Sequence, residues 1–476
     1  MPESDKNRIL IVGAGVGGVM LGILLHKAGI PFDIYERAAA VKPLGSALNF
    51  NATTAGIFRQ CGIYDELVAM SKHTLSIQVG NEDREIDFIM DFRRQKELVG
   101  STGFMVERHR FYDLLLRQIP KERIHMNKKM VSTIEMNNGI RIVFADGTMA
   151  QGDILVGADG AYSTGRQNLY SRLREEKRLL ASDDVPLPYS SVALVGRTRS
   201  LDSSLYPNVR MEDCQFINIL GHNKPYSWVF VTTNDGVVCW MVIKYLSGQM
   251  SKESEDSRYE DWGPDATRTM CDEVKDFPII AGGDKRLTIG DLIEWSPKEY
   301  VSKVMLEEKV FDTWYEGRTV LLGDACHKLN PAGGAGATNA ILDVITLSNW
   351  IVALAPKAPI HEIEDAFEAY KTERLPLVLQ AASSSLVFKT MTETTLRARL
   401  IRFVAKHMPQ WLNTKILTRT LSNRSQVSFL PLAEDKGTIR PLHQPSLAKT
   451  LKILEERRRL EAEEKISASS GGAALA

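Results

Sequence analysis

The sequence predicts an α/β fold that is interrupted by a β-rich insertion and followed by a helical C-terminal region. Short apolar runs at residues 8–12 and 317–322 each precede a glycine-containing turn and a helical pattern, as in the strands of a parallel sheet. Residues 190–243 are rich in Val, Phe, Tyr and Trp at strand-like spacing and have no helical period. From residue 386 onward the pattern becomes helical.

The N-terminal residues predict a βαβ unit. Residues 8–12 form the first buried strand, and a helix follows over residues 16–28. Gly29 ends this helix, because glycine readily adopts the left-handed conformation that closes helices. A second strand covers residues 30–36 and places Glu36 at its end.

Three glycines between the first strand and the helix have the spacing G-x-G-x-x-G. Gly13 permits a tight turn, Gly15 lets the backbone approach a pyrophosphate, and Gly18 allows close packing of helix on strand. The helix N-terminus offers free N–H groups to phosphates, and Glu36 lies where a carboxylate accepts ribose hydroxyls. The unit therefore predicts a Rossmann-type site for an adenine dinucleotide. This motif alone does not distinguish NAD from FAD.

Composition and charge argue against several classes of function. The 59 basic and 59 acidic side chains cancel, so no global field would attract nucleic acid. The five cysteines contain no C-x-x-C pair and the nine histidines have no metal-ligand spacing, so we expect no disulfide framework and no metal. Residues 9–25 could suggest a signal peptide, but their glycines follow a phosphate-loop spacing. With no apolar run of about 20 residues, we expect a cytoplasmic protein.

The order of elements divides the chain into five segments. Helices are predicted over residues 53–70 and 106–118, and a substrate site is expected where the nucleotide domain meets the insertion. The segments are a nucleotide-binding domain (1–185, with a small strand excursion at 74–100), a β-rich substrate domain (186–305), the resumed nucleotide-binding domain (306–385), a helical C-terminal region (386–466) and a disordered tail (467–476).

Two further motifs follow the first glycine-rich turn. They have the forms D-x-x-x-G-A-D-G-x-x-S-x-x-R and G-D-A-x-H-x-x-x-P-x-x-G-x-G. With these motifs the chain resembles, over residues 9–350, the FAD-dependent single-component aromatic hydroxylases of the para-hydroxybenzoate hydroxylase type. These are group A flavin monooxygenases, and the likeness is to the fungal secondary-metabolism branch. The resemblance implies a Rossmann-type FAD-binding domain (GR2-like). The matching residues are Asp153, Gly157, Ala158, Asp159, Gly160, Ser163 and Arg166, then Gly323, Asp324, Ala325, His327, Pro331, Gly334 and Gly336.

The resemblance also implies roles for individual residues. Asp324 would accept hydrogen bonds from the ribityl hydroxyls of the flavin, and the N–H groups of Gly336 and Ala337 would lie beside the isoalloxazine ring. Arg108 would reach the flavin or its phosphates. The expected cofactor-binding residues are Gly13, Gly15, Gly18, Glu36, Arg37, Gly45, Asn49, Arg108, Asp159, Asp324, Gly336 and Ala337.

Two segments near the expected ring depart from the family pattern. The loop from Gly45 to Asn49 would line the ring, but Asn49 stands where relatives often have glycine. Residues 334–339 are Gly-Ala-Gly-Ala-Thr-Asn where the family often has G-Q-G-x-N. Asp159 and Arg166 belong to a motif that the family uses for FAD and also for NAD(P)H.

Fungal relatives use an arginine and a tyrosine of the β-rich insertion to position and ionise a phenolic substrate. Arg197 and Tyr226 fall in the corresponding regions and are the expected catalytic pair, since a guanidinium lowers the pKa of a phenol. A surface salt bridge for Arg197 and a packed strand position for Tyr226 are the alternatives. Cys326 and His327 could form a nucleophilic dyad, or they could serve packing and loop hydrogen bonding.

The resemblance implies a monooxygenase that uses NADPH or NADH and O2. Oxygen would add at the flavin C4a carbon, and the hydroperoxide would hydroxylate or epoxidise an aromatic or prenylated small molecule. The alternatives are an isoprenoid lipid epoxidase or reductase on the same fold, a flavin-binding regulatory protein without turnover, and an NAD-only dehydrogenase. A tryptophan-type halogenase is disfavoured, because the W-x-W-x-I-P motif is absent.

Residues 394–433 contain no acidic residue. Apolar side chains alternate there with seven basic residues, so the segment is either a helical cap on the body of the protein or an amphipathic surface in peripheral contact with a membrane. The basic residues are Arg397, Arg399, Arg402, Lys406, Lys415, Arg419 and Arg424.

Overall fold

The chain combines strands and helices in an α/β fold, with a mainly parallel central sheet and further sheets beside it. The computed structural model describes residues 6–40, 47–222, 224–251, 263–330, 334–391 and 395–472. The strands are β1 (Ile9–Val12), β2 (Phe32–Tyr35), β3 (Ala47–Phe50), β4 (Lys72–Thr74), β5 (Ser76–Gly80), β6 (Ile86–Asp91), β7 (Gly103–Glu107), β8 (Ile124–His125), β9 (Met130–Met136), β10 (Gly139–Phe144), β11 (Met149–Gly152), β12 (Ile154–Gly157), β13 (Pro188–Arg197), β14 (Phe216–Leu220), β15 (Tyr226–Thr232), β16 (Val238–Ser251), β17 (Ser302–Glu307), β18 (Lys309–Val310), β19 (Tyr315–Glu316), β20 (Thr319–Leu321) and β21 (His327–Lys328).

The helices lie around these sheets and form most of the C-terminal region. They are α1 (Val16–Ala28), α2 (Ala55–Cys61), α3 (Tyr64–Ala69), α4 (Gln95–Val99), α5 (Arg108–Leu116), α6 (Thr164–Glu175), α7 (Gly263–Val274), α8 (Ile289–Glu294), α9 (Gly336–Ala353), α10 (Ile360–Met391), α11 (Leu396–Lys406), α12 (Gln410–Leu421) and α13 (Pro445–Gly472).

The central sheet has the strand order β19-β20-β12-β1-β2-β8. β1 pairs in parallel with β2 on one side and with β12 on the other, and β12 pairs in parallel with β20. Every residue of β1 is buried, as its continuous apolar run predicts. The direction of chain progression reverses between β1 and β12, and ligands of open α/β sheets bind at the carboxyl ends of strands at such a point. The turns after β1, β12 and β20 meet there.

Two helices differ from the sequence prediction. The helix expected over residues 53–70 is a 3₁₀ turn followed by α2 and α3, and it breaks at Gly62, whose φ of 77° is left-handed. The helix expected over residues 106–118 begins only at Arg108, because the preceding residues form β7. β7 pairs with β3 and β4, and this pairing overrides the local helical pattern.

The β-rich insertion forms a seven-stranded sheet in the order β17-β13-β16-β15-β14-β5-β6. Its last two strands come from the excursion at residues 74–100, which was assigned from the sequence to the nucleotide-binding domain. Ile217 of β14 aligns with Gln78 of β5 in a parallel pair, so the excursion extends the sheet of the insertion. The wall that this sheet offers to the nucleotide domain is therefore built from both parts of the chain.

The boundary expected at residue 386 falls inside α10, and the C-terminal region continues through α11, α12 and α13. α13 packs against α9 and continues to Gly472. It therefore extends past residue 467, where the sequence predicts that a disordered tail begins. Residues 473–476 lie outside the described residues. Among the helices of the described segments, none combines the length and the apolar content that a bilayer crossing requires.

Candidate active site

The first glycine-rich turn fits tightly against the second motif. Gly13 has a φ of 103°, and a Cβ added there would lie 2.4 Å from the carbonyl oxygen of Ala158. A Cβ on Gly18 would lie 2.0 Å from the carbonyl oxygen of Gly13. At Gly15, by contrast, an added Cβ would have no protein atom within 4 Å. The turn is thus closed towards the protein and open in front of the α1 N-terminus, where a phosphate would lie.

Glu36 holds this turn through its carboxylate. It accepts hydrogen bonds from the N–H groups of Ala14 and Ala38, each at 2.9 Å. The Tyr112 hydroxyl donates to the carbonyl oxygen of Ala14 at 2.7 Å. Burial raises the pKa of Tyr112.

The remaining cofactor-binding residues expected in this region are either exposed or outside the described residues. Arg37 and Arg108 are exposed, so their guanidinium groups are accessible to an anionic ligand. Gly45 and residue 46 of the loop expected to line the ring lie outside the described residues, as does Pro331 of the third motif, whereas Ala47 to Asn49 of that loop belong to β3.

The third motif follows β20 as a 3₁₀ turn, Gly323–Ala325. Asp324 lies in this turn and is partly exposed, and Lys328 Nζ contacts its carboxylate at 2.7 Å. The N–H of Gly323 donates to Asp343 Oδ2 of α9 at 3.0 Å, which ties the turn to the helix that begins at Gly336. Asp324 is therefore held at the same sheet edge as the first motif.

A buried ionic network lies directly beneath this turn. Asp343 is fully buried and is in contact with His327 Nε2, and Arg374 Nε donates to Asp343 Oδ1 at 2.8 Å. Arg374 also donates to Asn339 Oδ1 at 3.0 Å. Burial would by itself raise the pKa of Asp343, but His327 and Arg374 together lower it below its ordinary value. No motif of the sequence identifies this network, because its members come from three separate elements.

Cys326 belongs to the same buried cluster. Ligand atoms of Cys326, His327 and Asp343 lie within 4.8 Å of one another, which is a metal-like arrangement among the described residues. Arg374 already supplies the compensating positive charge to Asp343, so the cluster does not need a cation. Burial raises the pKa of Cys326, which keeps the thiol protonated and argues against the nucleophilic dyad.

The second motif supports the third through Arg166. This buried guanidinium donates to the carbonyl oxygen of Ala325 at 2.8 Å and lies 4.1 Å from the ring centroid of Phe311. Arg166 is therefore engaged inside the protein. Asp159 Oδ2 accepts the N–H of Gly165 at 3.1 Å, and burial raises the pKa of Asp159.

A cavity of about 1030 Å³ adjoins these motifs. Asn49 of β3 lines it from one side and Ala335, just before α9, from another. Asn49 Oδ1 accepts a hydrogen bond from Thr74 Oγ1 at 3.2 Å. Gly336 begins α9, so the free N–H groups of its first turn, including Ala337, lie at the margin of the cavity.

The β-rich sheet supplies the opposite wall of this cavity. Ser227 Oγ of β15 lies 3.0 Å from the hydroxyl of Tyr245 of β16, and both line the cavity together with Asn218 of β14. Residues of α10 and α12 also line it, so the C-terminal region closes the cavity in part. The apolar lining from the strands and their connections includes Ile77, Met90, Phe92, Met105, Phe216, Leu220, Val229, Val231, Met241 and Ile243.

Neither expected catalytic residue is among those that line this cavity in the described part of the chain. Tyr226 directly precedes Ser227, and because side chains alternate along a strand it faces away, where its hydroxyl donates to Glu273. Burial, and then the hydrogen bond to Glu273, raise the pKa of Tyr226 to about 12. Tyr226 thus occupies the packed strand position that is the alternative to a catalytic role.

Arg197 lies at the end of β13 on the cavity side of the sheet, because it aligns with Cys239, which lines the cavity. Its guanidinium is held by Glu107 Oε2 at 2.9 Å and by His109 Nδ1 at 2.8 Å. It also lies 4.7 Å from the ring centroid of Tyr300. Glu107 is buried, so this contact is an interior ion pair that joins the insertion to β7 rather than a surface salt bridge.

The residues described above fit FAD. The open space at Gly15 suits the pyrophosphate, the carboxylate of Glu36 suits the hydroxyls of the adenosine ribose, and Asp324 suits the ribityl chain. The start of α9 adjoins the cavity that would receive the ring. The turns that carry Gly15, Glu36 and Asp324 lie at the carboxyl edge of one sheet, where ligands of open α/β sheets bind.

Comparisons with known proteins agree with this geometry. The model of the FAD binding domain family matches residues 6–196 and 281–385, which is more than half of the chain. The FAD-dependent monooxygenase paxM of Penicillium paxilli is 26% identical over 452 residues, covering 91% of this chain and 89% of paxM. The FAD-dependent monooxygenase atmM of Aspergillus flavus is 24% identical over 450 residues, covering 92% and 89%.

Solved structures have the same fold. Klebsiella pneumoniae HpxO complexed with FAD and uric acid superposes with a TM-score of 0.67 at 18% identity, covering 87% of this chain and 96% of HpxO. A salicylate hydroxylase substrate complex superposes with a TM-score of 0.62 at 16% identity, covering 86% and 96%. The chain therefore belongs to the FAD binding domain family, as a flavoprotein oxidoreductase of the group A flavin monooxygenases.

Proposed function

We propose that the protein uses NADPH or NADH and O2 to insert one oxygen atom into a bulky, largely apolar small molecule that carries an aromatic or isoprenoid group. The observation that supports this most directly is the cavity of about 1030 Å³, which joins the expected ring position at Asn49 and Ala335 to an apolar sheet wall. Small-molecule sites are concave and mostly apolar, with a few polar groups that fix orientation.

The size and lining of the cavity favour a substrate larger than a single phenol. Ligand pockets typically measure about 300–1000 Å³, so this one has room for a flavin ring and a polycyclic or prenylated partner. Its thioether side chains, including Met90 and Met241, adapt to irregular apolar shapes. The polar groups are few, and Ser227 and Tyr245 form the pair best placed to hold a substrate hydroxyl or carbonyl.

Bound FAD would supply the electron and oxygen transfer that no amino-acid side chain provides. The chain would position the substrate and protect the reaction from water. The N-terminal N–H groups of α9 would favour negative charge on the ring, because a helix N-terminus carries partial positive charge. The Ser227–Tyr245 pair would orient the substrate, and the side chains of α12 would exclude water. Arg197, fixed by Glu107, would hold the sheet against β7 as a positioning residue.

The relatives support oxygen transfer as the reaction class. The relatives paxM and atmM are named FAD-dependent monooxygenases, and HpxO was solved with FAD and uric acid. An isoprenoid epoxidase or reductase would use the same cavity, and the apolar lining keeps that alternative within the proposal.

The test measures NADPH and NADH oxidation by the FAD-loaded protein, with and without a panel of phenols, indoles and prenylated aromatics under ¹⁸O2. We expect one compound to accelerate oxidation and to gain a single ¹⁸O atom. The matched pair Tyr245→Phe and Tyr226→Phe separates the two faces of the sheet, and only Tyr245→Phe is expected to raise the fraction of reduced cofactor lost as hydrogen peroxide. Cofactor oxidation that stays substrate-independent across the panel, with no ¹⁸O in any product, would overturn the proposal.

A further inference from the structure

Helix α11 presents an apolar face to solvent. Leu396, Leu400 and Phe403 are 81%, 62% and 60% exposed, and Val404 is also exposed. Their spacing of three and four residues places all four on one side of the helix. A surface helix ordinarily turns this side to the core, and here it faces outward.

The opposite face of α11 is the one that packs on the protein. Ala398 is buried, and Ile401 and Ala405 pack against a cluster that contains Leu220 and Met391. The helix thus has two apolar sides. One anchors it to the body, and the other is largely open to solvent, where the ring of Phe403 packs against His407 with 4.2 Å between the ring centroids. The outward side does not contribute to the core, so it needs a different explanation.

Basic side chains flank the outward side on both edges. At 100° per residue, Arg397 falls on one edge of the stripe, and Arg399 and Lys406 fall on the other. Two of the seven basic residues of segment 394–433 are engaged internally: Arg402 bonds the carbonyl oxygen of Met391, and Arg424 pairs with Asp435. The other five, which are exposed and form no ion pair among the described residues, are Arg397, Arg399, Lys406, Lys415 and Arg419.

Exposed apolar residues continue beyond α11 to the cavity. Trp411 and Ile416 of α12 are exposed, and Ile416 also lines the cavity. Leu379 of α10 is 48% exposed and lines it too. The helices that border α11 in the sequence therefore carry apolar side chains that are accessible both from solvent and from the cavity.

We propose that the outward side of α11, defined here as Leu396, Leu400, Phe403 and Val404 with the flanking cations, docks on an anionic lipid bilayer surface. An apolar stripe between basic flanks, with a tryptophan close by, has the composition of helices that lie in the membrane interface. Segment 394–433 has no acidic residue although the chain as a whole has no net charge, and this local excess of positive charge complements anionic headgroups. A second copy is a poor occupant, because pairing two such faces would bring like charges together.

The test is co-sedimentation of the full-length, FAD-loaded protein with vesicles of phosphatidylcholine and phosphatidylserine, compared with phosphatidylcholine alone. We expect binding to the anionic vesicles that weakens as salt is raised, since screening acts on exposed charges. Arg397→Gln, Arg399→Gln and Lys406→Gln combined should lower affinity on the order of 100-fold, from the contribution of each cation near an anionic surface.

The decisive variant is the double change Leu400→Ser and Phe403→Ser, which should abolish binding while leaving the flavin content and the melting temperature unchanged. The matched control is Met149→Ser with Leu180→Ser, two exposed apolar residues remote from α11 in the sequence, which should bind as the wild type does. Equal binding by the double variant and its control would overturn the proposal. So would self-association that Leu400→Ser and Phe403→Ser remove in the absence of any vesicle binding.

Docking on this side would let an apolar substrate pass from the bilayer to the cavity between Leu379 and Ile416. The passage of substrate rests on the proposed function, whereas the binding of the protein to vesicles does not depend on it. Vesicle binding without substrate turnover would leave the docking surface standing and count against the monooxygenase proposal alone.

Discussion

Replacing Arg374 by methionine tests whether the buried network under the third motif organises the flavin site. The change removes the cation that donates to Asp343 Oδ1 at 2.8 Å and to Asn339 Oδ1 at 3.0 Å. Both ends of the Arg374–Asp343 pair are essentially inaccessible to solvent. Removing one partner of such a pair costs about 3–5 kcal/mol in unfolding free energy, because the other charge is left in a low-dielectric interior.

That cost predicts a measurable fall in the melting temperature. For a chain of 476 residues the unfolding entropy is about 1 kcal/mol/K, so Arg374→Met should lower the melting temperature by about 3–5 °C. FAD affinity should fall as well, because Asp343 holds the N–H of Gly323, the residue before Asp324. The assays are differential scanning fluorimetry and FAD titration by flavin fluorescence.

The control is Arg459→Met, which removes an exposed (i, i+4) contact to Glu463 and should leave both readouts unchanged. The double variant Asp343→Asn with Arg374→Met should lose less stability than the sum of the two single variants, since the pair acts as one unit. An Arg374→Met protein that melts and binds FAD like the wild type would refute the reasoning.

Three further predictions concern the turn, acid stability and the sheet wall. Gly15→Ala should weaken FAD binding about tenfold or more, or about 1.4 kcal/mol, because its methyl group would enter the space in front of α1, and it should leave the melting temperature of the FAD-free protein unchanged. Gly13→Ala should instead lower the melting temperature, since the φ of 103° and the nearby Ala158 oxygen strain any side chain at this position. Because the pKa of Asp343 is lowered in the folded protein, its carboxylate stabilises the fold at pH values above its unfolded pKa of about 3.9. This stability is lost as the pH falls through the folded pKa. The melting temperature should therefore drop more steeply below about pH 4 in the wild type than in Arg374→Met. Tyr226→Phe should leave the pH profile of turnover between pH 6 and 9 unchanged, because the pKa of Tyr226 is about 12. Tyr245→Phe should lower kcat/KM for a hydroxylated substrate about tenfold, consistent with the loss of one hydrogen bond.

The nucleotide-binding half of the site could be predicted because each of its motifs is a short, continuous stretch of sequence. Gly13 and Glu36 lie directly after a strand and Asp324 lies three residues after one. Parallel strands bring their carboxyl ends to one edge of a sheet whatever separates them in sequence. The Asp343 network was missed for the opposite reason. Its members lie on α9, β21 and α10, and no periodicity in the sequence shows that three helix or strand faces will meet.

The substrate half depends on strand register, which local pattern does not determine. Tyr226 and Ser227 are neighbours in the sequence, yet a shift of one residue decides which of them faces the cavity, because strand side chains alternate. The register places Ser227 opposite Ile243 and therefore on the face of Tyr245, while Tyr226 joins the buried cluster of Trp228 and Phe230. Both faces of β15 are apolar, so hydrophobic alternation could not have chosen between them. Cofactor binding can thus be inferred from motif spacing in this chain, whereas substrate contacts follow only from the paired sheet, and the Tyr226→Phe and Tyr245→Phe comparison tests that register through catalysis.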